Sequence, residues 1–269
     1  MTLAFTRRGT GPPLVLLHGI GSARNAWDPI IDALAERFDV LAIDLPGFGE
    51  SPPLPAGVEP RPAAIAADVA AFLDSQDVVT PHVAGNSLGG WVALELAAIY
   101  PLGSLTLLSP AGLWHGKTPL YNRISLHATR WVARHFTGFM SRLMRYRAAR
   151  VTILGQTHAR PARISPGYAR AAVRAMGTGP GFDATMKASE PRRYRAGQPI
   201  DAPVTVAFGA RDHLLLRNQS RHLDELPPGT RVQTLEGCGH VPMADDPDAV
   251  AALIIATTER TPSPRLGPF

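Results

Sequence analysis

Short apolar runs alternate with stretches of helical periodicity along most of this chain, and that alternation limits the folds it can adopt. Strands are predicted at 14–17, 38–43, 82–85, 105–108, 204–208 and 232–235. Helices are predicted at 29–37, 63–75, 88–99, 219–226 and 247–259. Nearly continuous apolar strands that alternate with helices are typical of a mostly parallel sheet with helices on both faces. We therefore predict an α/β fold, with a functional site at the C-terminal ends of the strands.

The charged residues divide the chain into two parts. Residues 114–200 contain 14 Arg and 2 Lys but only 2 acidic residues, which gives this basic segment a net charge of +14. The rest of the chain carries −9, and the whole chain +5. The alternation of strands and helices also stops within the basic segment. Two interpretations of its charge stay open: a solvated arginine face, and a surface that attracts an anionic substrate, a carrier protein or a lipid surface.

A glycine-flanked serine lies between a predicted strand and a predicted helix. The residues Gly85-Asn86-Ser87-Leu88-Gly89 have the pattern G-x-S-x-G, in which a sharp turn lifts a serine hydroxyl clear of a sheet. The same residues would also suit an ordinary tight turn between a strand and a helix. Because the pattern directly follows a buried strand, it favours the nucleophile elbow, and Ser87 is the candidate nucleophile.

A serine hydroxyl needs a base to take its proton, and the base needs an acid to orient it. His240 follows the predicted strand 232–235 in a glycine-flanked loop, where a base could face Ser87. Asp212 follows the preceding strand, 204–208, at the matching end. We therefore predict that Ser87, Asp212 and His240 form a catalytic triad, in the chain order Ser, acid, His.

Two backbone N–H groups are needed to bind the oxyanion that such a serine creates. Leu88 follows the nucleophile, and Ile20 lies in the loop after strand 14–17, so these two residues are the predicted oxyanion-hole donors. His18, in the same loop, is predicted to be a hydrogen-bonded structural residue rather than the base. Cys238, the single cysteine, is predicted to be a small packed residue and not a nucleophile.

Five motifs together give the chain a resemblance to the α/β-hydrolase superfamily. They are His18-Gly19, Asp44-Leu45-Pro46-Gly47-Phe48-Gly49-Glu50-Ser51, Gly85-Asn86-Ser87-Leu88-Gly89-Gly90, Gly209-Ala210-Arg211-Asp212 and Gly239-His240. This resemblance implies the α/β-hydrolase fold, with a core formed by residues 1–112 and 201–259. It also implies that residues 113–200 form a helical cap, or lid, which is inserted after a core strand and shapes the substrate pocket. Residues 260–269 are predicted to be a loose C-terminal tail.

Apolar residues recur at helical spacing in the predicted cap, which favours a helical structure there. They are Ile124, Trp131, Val132, Phe136, Phe139, Met140, Leu143 and Met144. Ile124, Trp131 and Phe136 are expected to lie towards the core. The arginines at positions 123, 130 and 134 are expected to share a polar face of the same helix.

The resemblance implies a serine hydrolase that cleaves a small-molecule carboxylic ester, lactone or thioester through an acyl-enzyme. Asn86, directly before the nucleophile, resembles instead the meta-cleavage product hydrolases, which cleave carbon–carbon bonds. Those enzymes typically have Trp after the catalytic histidine, whereas Val241 follows His240 here, as in many esterases and enol-lactonases. An esterase is therefore the favoured function, and a carbon–carbon bond hydrolase is the alternative. A cofactor-free perhydrolase or a small-molecule receptor also stays open.

Three residues are predicted to contact the substrate: Asn86, Arg160 and Trp131. The resemblance to the meta-cleavage product hydrolases makes Arg160 the candidate for the cap arginine that binds the substrate carboxylate in that branch. No cofactor or metal is expected, since the sequence contains no phosphate-binding loop and no metal-ligand motif. The expected partner is a small-molecule substrate, anionic if the basic segment attracts it. Nucleic acid is not expected, because no recognised nucleic-acid motif is present. The sequence shows no transmembrane segment and no signal peptide, so a cytoplasmic location is expected, and the oligomeric state stays open.

Overall fold

Seven strands form a single sheet within residues 2–260, the part of the chain that this computed structural model describes. In chain order they are β1 (Phe5–Arg8), β2 (Pro13–Leu17), β3 (Asp39–Ile43), β4 (His82–Asn86), β5 (Ser104–Leu108), β6 (Val204–Gly209) and β7 (Arg231–Leu235). Across the sheet the order is β1-β3-β2-β4-β5-β6-β7. β1 runs antiparallel to β3, and the other neighbouring pairs are parallel. The predicted α/β class with a mostly parallel sheet is therefore confirmed.

Eight α-helices within the described residues connect and cover these strands. They are α1 (Asp28–Ala35), α2 (Pro62–Ser75), α3 (Leu88–Ala97), α4 (Leu120–Leu143), α5 (Arg147–Leu154), α6 (Pro166–Thr178), α7 (Phe182–Ser189) and α8 (Pro247–Thr258). Val15 and Leu17 of β2 pack in an apolar layer with α2 and α3, whereas Leu14 and Leu16 pack in a layer with α1 and α8. Helices thus cover both faces of the sheet. Over residues 2–260, no helix is both long enough and apolar enough to cross a membrane.

The register of the parallel strands brings their C-terminal ends to one edge of the sheet. Leu17, the last residue of β2, pairs with Gly85 near the end of β4. Gly209, the last residue of β6, pairs with Leu235 at the end of β7. The loops that follow these four strands therefore meet along one edge, which is where parallel sheets of this kind carry their sites.

Four helices, α4 to α7, lie between β5 and β6, within the segment for which the sequence predicts an inserted cap. α4 and α6 pack along each other. Part of this segment has an apolar cluster of its own, whose buried members are Met144, Leu154, Ile164, Ala169 and Val173. The basic segment thus folds as a helical layer with a small core.

The orientation predicted for α4 is wrong. Ile124 and Trp131 lie in solvent, 61% and 57% exposed, and do not face the core. Arg130 is buried instead, and its guanidinium donates hydrogen bonds to the carbonyls of Met176 and Gly179. Apolar residues lie on two sides of this helix, and periodicity gives the spacing of a face without saying which side the protein covers.

The predicted helix at 219–226 does not form. The segment makes turns instead, and the His222 N–H donates to the Leu113 carbonyl rather than to a carbonyl four residues earlier. Pro227 and Pro228 follow directly, and proline cannot continue a helical hydrogen-bond ladder.

The sequence does not predict β1. Two of its four residues are arginines, so the strand has little hydrophobic pattern.

Arg260, the first residue of the predicted loose tail, is anchored to the sheet. Its guanidinium donates to the carbonyl of Val204 at 2.6 Å and to that of Gly229 at 3.1 Å. The remainder of the predicted tail, residues 261–269, lies outside the described residues.

The burial of Arg130 leads to a testable difference between two neighbouring arginines of α4. Arg130→Met removes the donors for two carbonyls, so we expect the free energy of unfolding to fall by about 2 kcal/mol. Arg134→Met changes an exposed side chain, and we expect a change within about 0.5 kcal/mol. Urea denaturation followed by circular dichroism measures both values. Equal losses in the two variants would contradict this orientation of α4.

Candidate active site

Ser87 lies at the turn between β4 and α3, with a φ of 54° and a ψ of −115°. This left-handed backbone is unfavourable for a residue with a side chain. Two hydrogen bonds tie it to β5 and the loop after β5: the Ser87 N–H donates to the Leu108 carbonyl at 3.0 Å, and the Ser87 carbonyl accepts from the Ala111 N–H at 2.9 Å. The turn between a strand and a helix is the geometry of a nucleophile elbow.

Two glycines leave the space that this turn needs. A Cβ on Gly85 would overlap the carbonyl of Gly89, and a Cβ on Gly89 would overlap the carbonyl of Leu17. Any other residue would therefore force the backbone apart. The G-x-S-x-G pattern is required here by the close packing of the elbow on itself and on β2.

His240 and Asp212 come from the loops after β7 and β6 and form a buried pair. His240 Nδ1 lies 2.9 Å from Asp212 Oδ2, and the two side chains are 3% and 1% exposed. The other carboxylate oxygen of Asp212 accepts hydrogen bonds from the N–H groups of Leu214 at 2.9 Å and Leu215 at 2.8 Å. Both oxygens of Asp212 are thus fixed, and His240 Nε2 is directed away from the carboxylate.

Asp212 stays ionised despite its burial. Burial acts to raise the pKa of this carboxyl group, but the charge interaction and hydrogen bond with His240, and the N–H groups of Leu215 and Leu214, outweigh it and lower the pKa below its usual value. A carboxylate beside Nδ1 fixes the proton of a neutral imidazole on that nitrogen. His240 Nε2 is then left to accept a proton from another group.

Asn86 joins the end of β4 to the histidine loop. Its side-chain amide donates to the Leu108 carbonyl at 3.0 Å and to the His240 carbonyl at 2.9 Å. Asn86 also lines the cavity described below, as expected for a substrate contact. Its amide nitrogen, however, is already bonded to the protein, where it positions the backbone of His240.

A cavity of about 120 Å³ adjoins Ser87, and Asn86 and His240 form part of its wall. The helices between β5 and β6 supply a mostly apolar lining: Leu126, Thr129, Ala133, Met140, Ile153, Leu154, Tyr168, Ala172, Val173 and Met176. Apolar walls with a few polar groups are typical of small-molecule sites, so the cavity suits a substrate with an apolar part next to the group that reacts.

Ile20, Ser87 and Leu88 together line a second, smaller pocket of about 40 Å³. Within residues 2–260, neither the Ile20 N–H nor the Leu88 N–H donates a hydrogen bond to a protein acceptor. Leu88 is the first residue of α3, so its N–H lies at the positive end of a helix. The two predicted oxyanion-hole residues therefore lie beside Ser87 with unbonded N–H groups.

His18 supports the loop that carries Ile20. The Leu45 N–H donates to His18 Nε2 at 3.0 Å, and His18 Nδ1 lies 2.8 Å from the Gly19 carbonyl. Burial lowers the pKa of His18, which keeps this ring neutral. Its two nitrogens thus join the loop after β2 to the loop after β3, in the structural role predicted for it.

A second histidine, His158, reaches the same cavity, and no sequence motif points to it. Its ring is buried, with Nδ1 2.9 Å from Thr157 Oγ1 and an edge-to-face contact with Tyr168. Burial lowers the pKa of His158 to about 4, so the ring is neutral near pH 7. Only the fold brings this residue of the basic segment to the wall of the cavity.

Asp245 joins the histidine loop to the basic segment. One oxygen of its carboxylate accepts from the N–H groups of Gly239 and Ala159, both at 2.8 Å. The other oxygen accepts from the Arg160 N–H at 2.7 Å. A single carboxylate therefore bridges the residue before His240 and the segment after α5.

Two of the three residues predicted to contact the substrate do not line this cavity. Arg160 does not line the cavity, because its guanidinium binds the Asp245 carbonyl and lies 3.6 Å from the Asp246 carboxylate. Trp131 also lies away from the cavity, on the solvent side of α4, where its ring packs against His135. Spacing along the sequence does not determine which side of a helix faces a pocket.

No cluster of three or more His, Cys, Asp or Glu side chains within the described residues is arranged to hold a metal ion. Cys238 is buried, and burial raises the pKa of its thiol to about 11. A thiol in that state is a poor nucleophile at neutral pH. Ser87, and not Cys238, is therefore the candidate nucleophile.

Known proteins resemble this chain along most of its length. A model of the alpha/beta hydrolase family matches residues 14–253. A pimeloyl-[acyl-carrier protein] methyl ester esterase from Aeromonas hydrophila is 31% identical over 267 residues, which cover 94% of this chain and 98% of that relative. An enol-lactonase structure from Burkholderia xenovorans is 21% identical with a TM-score of 0.73, and 96% of each chain is covered. A meta-cleavage product hydrolase structure from Pseudomonas fluorescens is 19% identical with a TM-score of 0.72, covering 95% of this chain and 93% of that one.

Cys238 is the single cysteine of the chain, so alkylation reports on this residue alone. We expect iodoacetamide to label the native protein at pH 8 about 100-fold more slowly than the protein unfolded in urea, because the buried thiol is neutral. Mass spectrometry of the intact protein measures the rate. Similar rates in the two states would contradict the burial of this thiol and would restore it as a candidate nucleophile.

Proposed function

The chain belongs to the alpha/beta hydrolase family, and on that premise we propose that it is a carboxylesterase-like serine hydrolase. Its substrate is a small-molecule carboxylic ester, or a lactone or thioester. The observation that carries this proposal is the buried pair of His240 and Asp212, 2.9 Å apart, beside the cavity that Ser87 also lines. These three residues are the proposed catalytic triad.

In the first half of the reaction, Ser87 Oγ attacks the acyl carbon of the ester, and its proton passes to His240 Nε2. Asp212 keeps Nδ1 protonated and stabilises the positive charge that develops on His240. The N–H groups of Ile20 and Leu88 bind the oxyanion. His240 then gives its proton to the leaving alcohol, and an acyl-enzyme on Ser87 remains.

In the second half, water attacks the acyl-enzyme while His240 takes one of its protons. Collapse of the second oxyanion releases the carboxylic acid and returns the proton from His240 to Ser87. No atom or electron has to come from outside the substrate and water. The groups present in the cavity are therefore sufficient for ester hydrolysis without a cofactor.

Two observations favour an ester over a carbon–carbon bond. The relative from Aeromonas hydrophila, whose name describes a methyl ester esterase, is 31% identical over nearly the whole chain. Arg160, the candidate for binding the carboxylate of a meta-cleavage substrate, is bonded to Asp245 outside the cavity. The enol-lactonase and the meta-cleavage product hydrolase have nearly equal TM-scores, so the fold does not discriminate between the two reactions.

We further propose that residues 113–200 act as the cap, with residues 1–112 and 201–259 as the core. Side chains from α4, α5 and α6 line the cavity next to Ser87, which supports a role in choosing the substrate. The core supplies the reacting groups, and the cap supplies the apolar wall. A change in the cap lining should therefore alter the preferred chain length of the acyl group more than the chemistry.

The proposal is tested with p-nitrophenyl esters from acetate to long-chain acids, run beside a meta-cleavage dienoate. We expect ester hydrolysis, with kcat lowered about 10⁴-fold or more in Ser87→Ala, because the triad acts as a unit. A fluorophosphonate probe should label the wild-type protein and fail to label Ser87→Ala. Ser22→Ala is the matched control, since Ser22 lines the same cavity, and its labelling should be unchanged.

Other outcomes would decide against this function. Faster turnover of the dienoate than of every ester would favour the carbon–carbon bond hydrolase. Peroxide-dependent halogenation faster than hydrolysis would favour a perhydrolase, and ligand binding without turnover would favour a receptor. Labelling of Ser87→Ala at the wild-type rate would remove Ser87 as the nucleophile.

Activity should fall on acidification, because a protonated His240 cannot accept the serine proton. Burial holds the pKa of His158 at about 4, and the pKa of Asp212 lies below its usual value, so both groups keep one charge state above about pH 5. A fall in kcat/KM above that pH therefore comes from neither His158 nor Asp212. A kcat/KM that does not fall on acidification would contradict His240 as the base.

Asp212→Asn should lower kcat by about 10⁴-fold while the fold stays intact, because the amide stabilises the wrong tautomer of His240. Asp224→Asn is the control, since Asp224 is exposed and lies on the same segment after β6. Steady-state kinetics on the best ester measures both variants. Near-normal turnover in Asp212→Asn would show that another acid orients the base.

A further inference from the structure

α4 carries apolar side chains on two sides. Its inner side lines the cavity through Leu126, Ala133 and Met140. Its outer face, which we define by its exposed large apolar residues, consists of Leu120, Tyr121, Ile124, Trp131, Val132, Phe136 and Phe139. A single exposed apolar residue needs no explanation, but a row of them along one helix marks a contact surface.

Four arginines form a shallow pocket at the C-terminal end of this helix. Arg142 lies in the last turn of α4 and Arg145 two residues beyond its end, and Arg170 and Arg174 come from α6. This arginine pocket has a volume of about 450 Å³ and also includes Thr137. Over residues 2–260, none of the four guanidinium groups forms an ion pair with a carboxylate. Clustered arginines without acidic partners suit a ligand that carries phosphate or carboxylate groups.

Charge and shape together decide which partner fits. A second copy of the chain that docked through the same face would bring another segment of charge +14 against the first, and the two would repel. An acidic protein would match the arginines but not the row of exposed Trp, Phe, Leu and Ile side chains. An anionic bilayer matches both features, because lipid phosphates pair with arginine and the acyl boundary accepts apolar side chains.

We propose that the outer face of α4 and the arginine pocket dock this protein onto an anionic lipid bilayer. Trp131 and Phe139 enter the boundary between headgroups and acyl chains, while the four arginines bind lipid phosphates. α4 lies parallel to the membrane surface, since its apolar residues run along its length. The docking surface is separate from the catalytic cavity, so this inference goes beyond the proposed hydrolysis and does not depend on it.

Trp131 is a natural reporter for this docking. The chain has four tryptophans, of which Trp27, Trp91 and Trp114 are buried and Trp131 is exposed. Vesicles of phosphatidylcholine and phosphatidylglycerol in equal parts should shift the Trp131 emission to shorter wavelengths and protect it from acrylamide. Vesicles of phosphatidylcholine alone should leave the emission unchanged. Trp131→Phe should remove the signal while binding, measured by co-sedimentation, persists.

The arginine pocket is tested by removing its charge. The test variant carries four Arg→Gln substitutions, at Arg142, Arg145, Arg170 and Arg174. The control variant loses the same charge at exposed arginines elsewhere, at Arg61, Arg195, Arg217 and Arg231. Each pocket arginine should contribute roughly fivefold to the partition coefficient for the anionic vesicles, so the test variant should lose most of its binding and the control little.

The apolar part is tested in the same co-sedimentation assay. The pair Trp131→Gln and Phe139→Gln should lower the partition coefficient about tenfold or more, because two side chains no longer enter the lipid. The matched control is the pair Val79→Gln and Ile99→Gln, which changes exposed apolar residues outside the basic segment. All of these side chains lie at the surface, so the thermal unfolding midpoints should stay near that of the wild type.

Four results would overturn the proposal. The first is an absence of binding to the anionic vesicles, and the second is an equal loss of binding in the test and control arginine variants. The third is a loss of binding in the arginine variant while the Trp131→Gln and Phe139→Gln pair still binds. The fourth is protection of Trp131 from acrylamide that grows with protein concentration when no vesicles are present. The third result would show that the arginines bind the vesicles without the outer face of α4, and the fourth would point to a second copy of this chain. Loss of binding in both test variants, with both controls retained, would support the bilayer.

Discussion

The left-handed backbone at Ser87 is the constraint on which the rest of the site depends. A backbone of this kind costs about 1 to 3 kcal/mol for a residue with a side chain, so the surrounding structure must hold it in place. The Ser87 N–H is bonded to the end of β5, and Gly89 lies so close to β2 that a Cβ would not fit. Three adjacent central strands, β2, β4 and β5, therefore position the serine together. The loops with the histidine and the acid need only reach that fixed point.

Features that depend on short stretches of chain could be predicted from the sequence. The parallel sheet, the elbow at Ser87 and the loops that carry Asp212 and His240 all follow from strand ends within a few residues. Features that depend on packing between distant segments could not. The positions of Arg160 and Trp131 depend on how the helices between β5 and β6 pack against the sheet, which the sequence does not specify. Apolar residues on both sides of α4 removed the one signal, a single hydrophobic face, that could have supplied it.

The shortage of acidic residues in the basic segment has a structural counterpart, because its buried arginines bind backbone carbonyls instead of carboxylates. Arg130 donates to the carbonyls of Met176 and Gly179 at the end of α6. Arg150 donates to the Met144 carbonyl, at 2.9 Å, at the end of α4. The last turn of a helix has carbonyls without partners and a partial negative charge, and a guanidinium satisfies both. Helix ends thus supply acceptors that a segment with many arginines and few acids needs.

The carboxylate of Asp245 also limits how the two parts of this fold can be exchanged in evolution. It binds the Gly239 N–H beside the histidine and the Ala159 N–H of the basic segment at the same time. A foreign segment that replaced residues 157–160 without their backbone donors would leave one oxygen of this carboxylate without its backbone donor and the other with the Gly239 N–H alone. Recombination between relatives is therefore compatible with this fold when residues 157–160 and residues 237–245 come from the same parent. Gradual substitution along α4 and α6, which contact the cavity without binding this carboxylate, is the less restricted route to a new substrate.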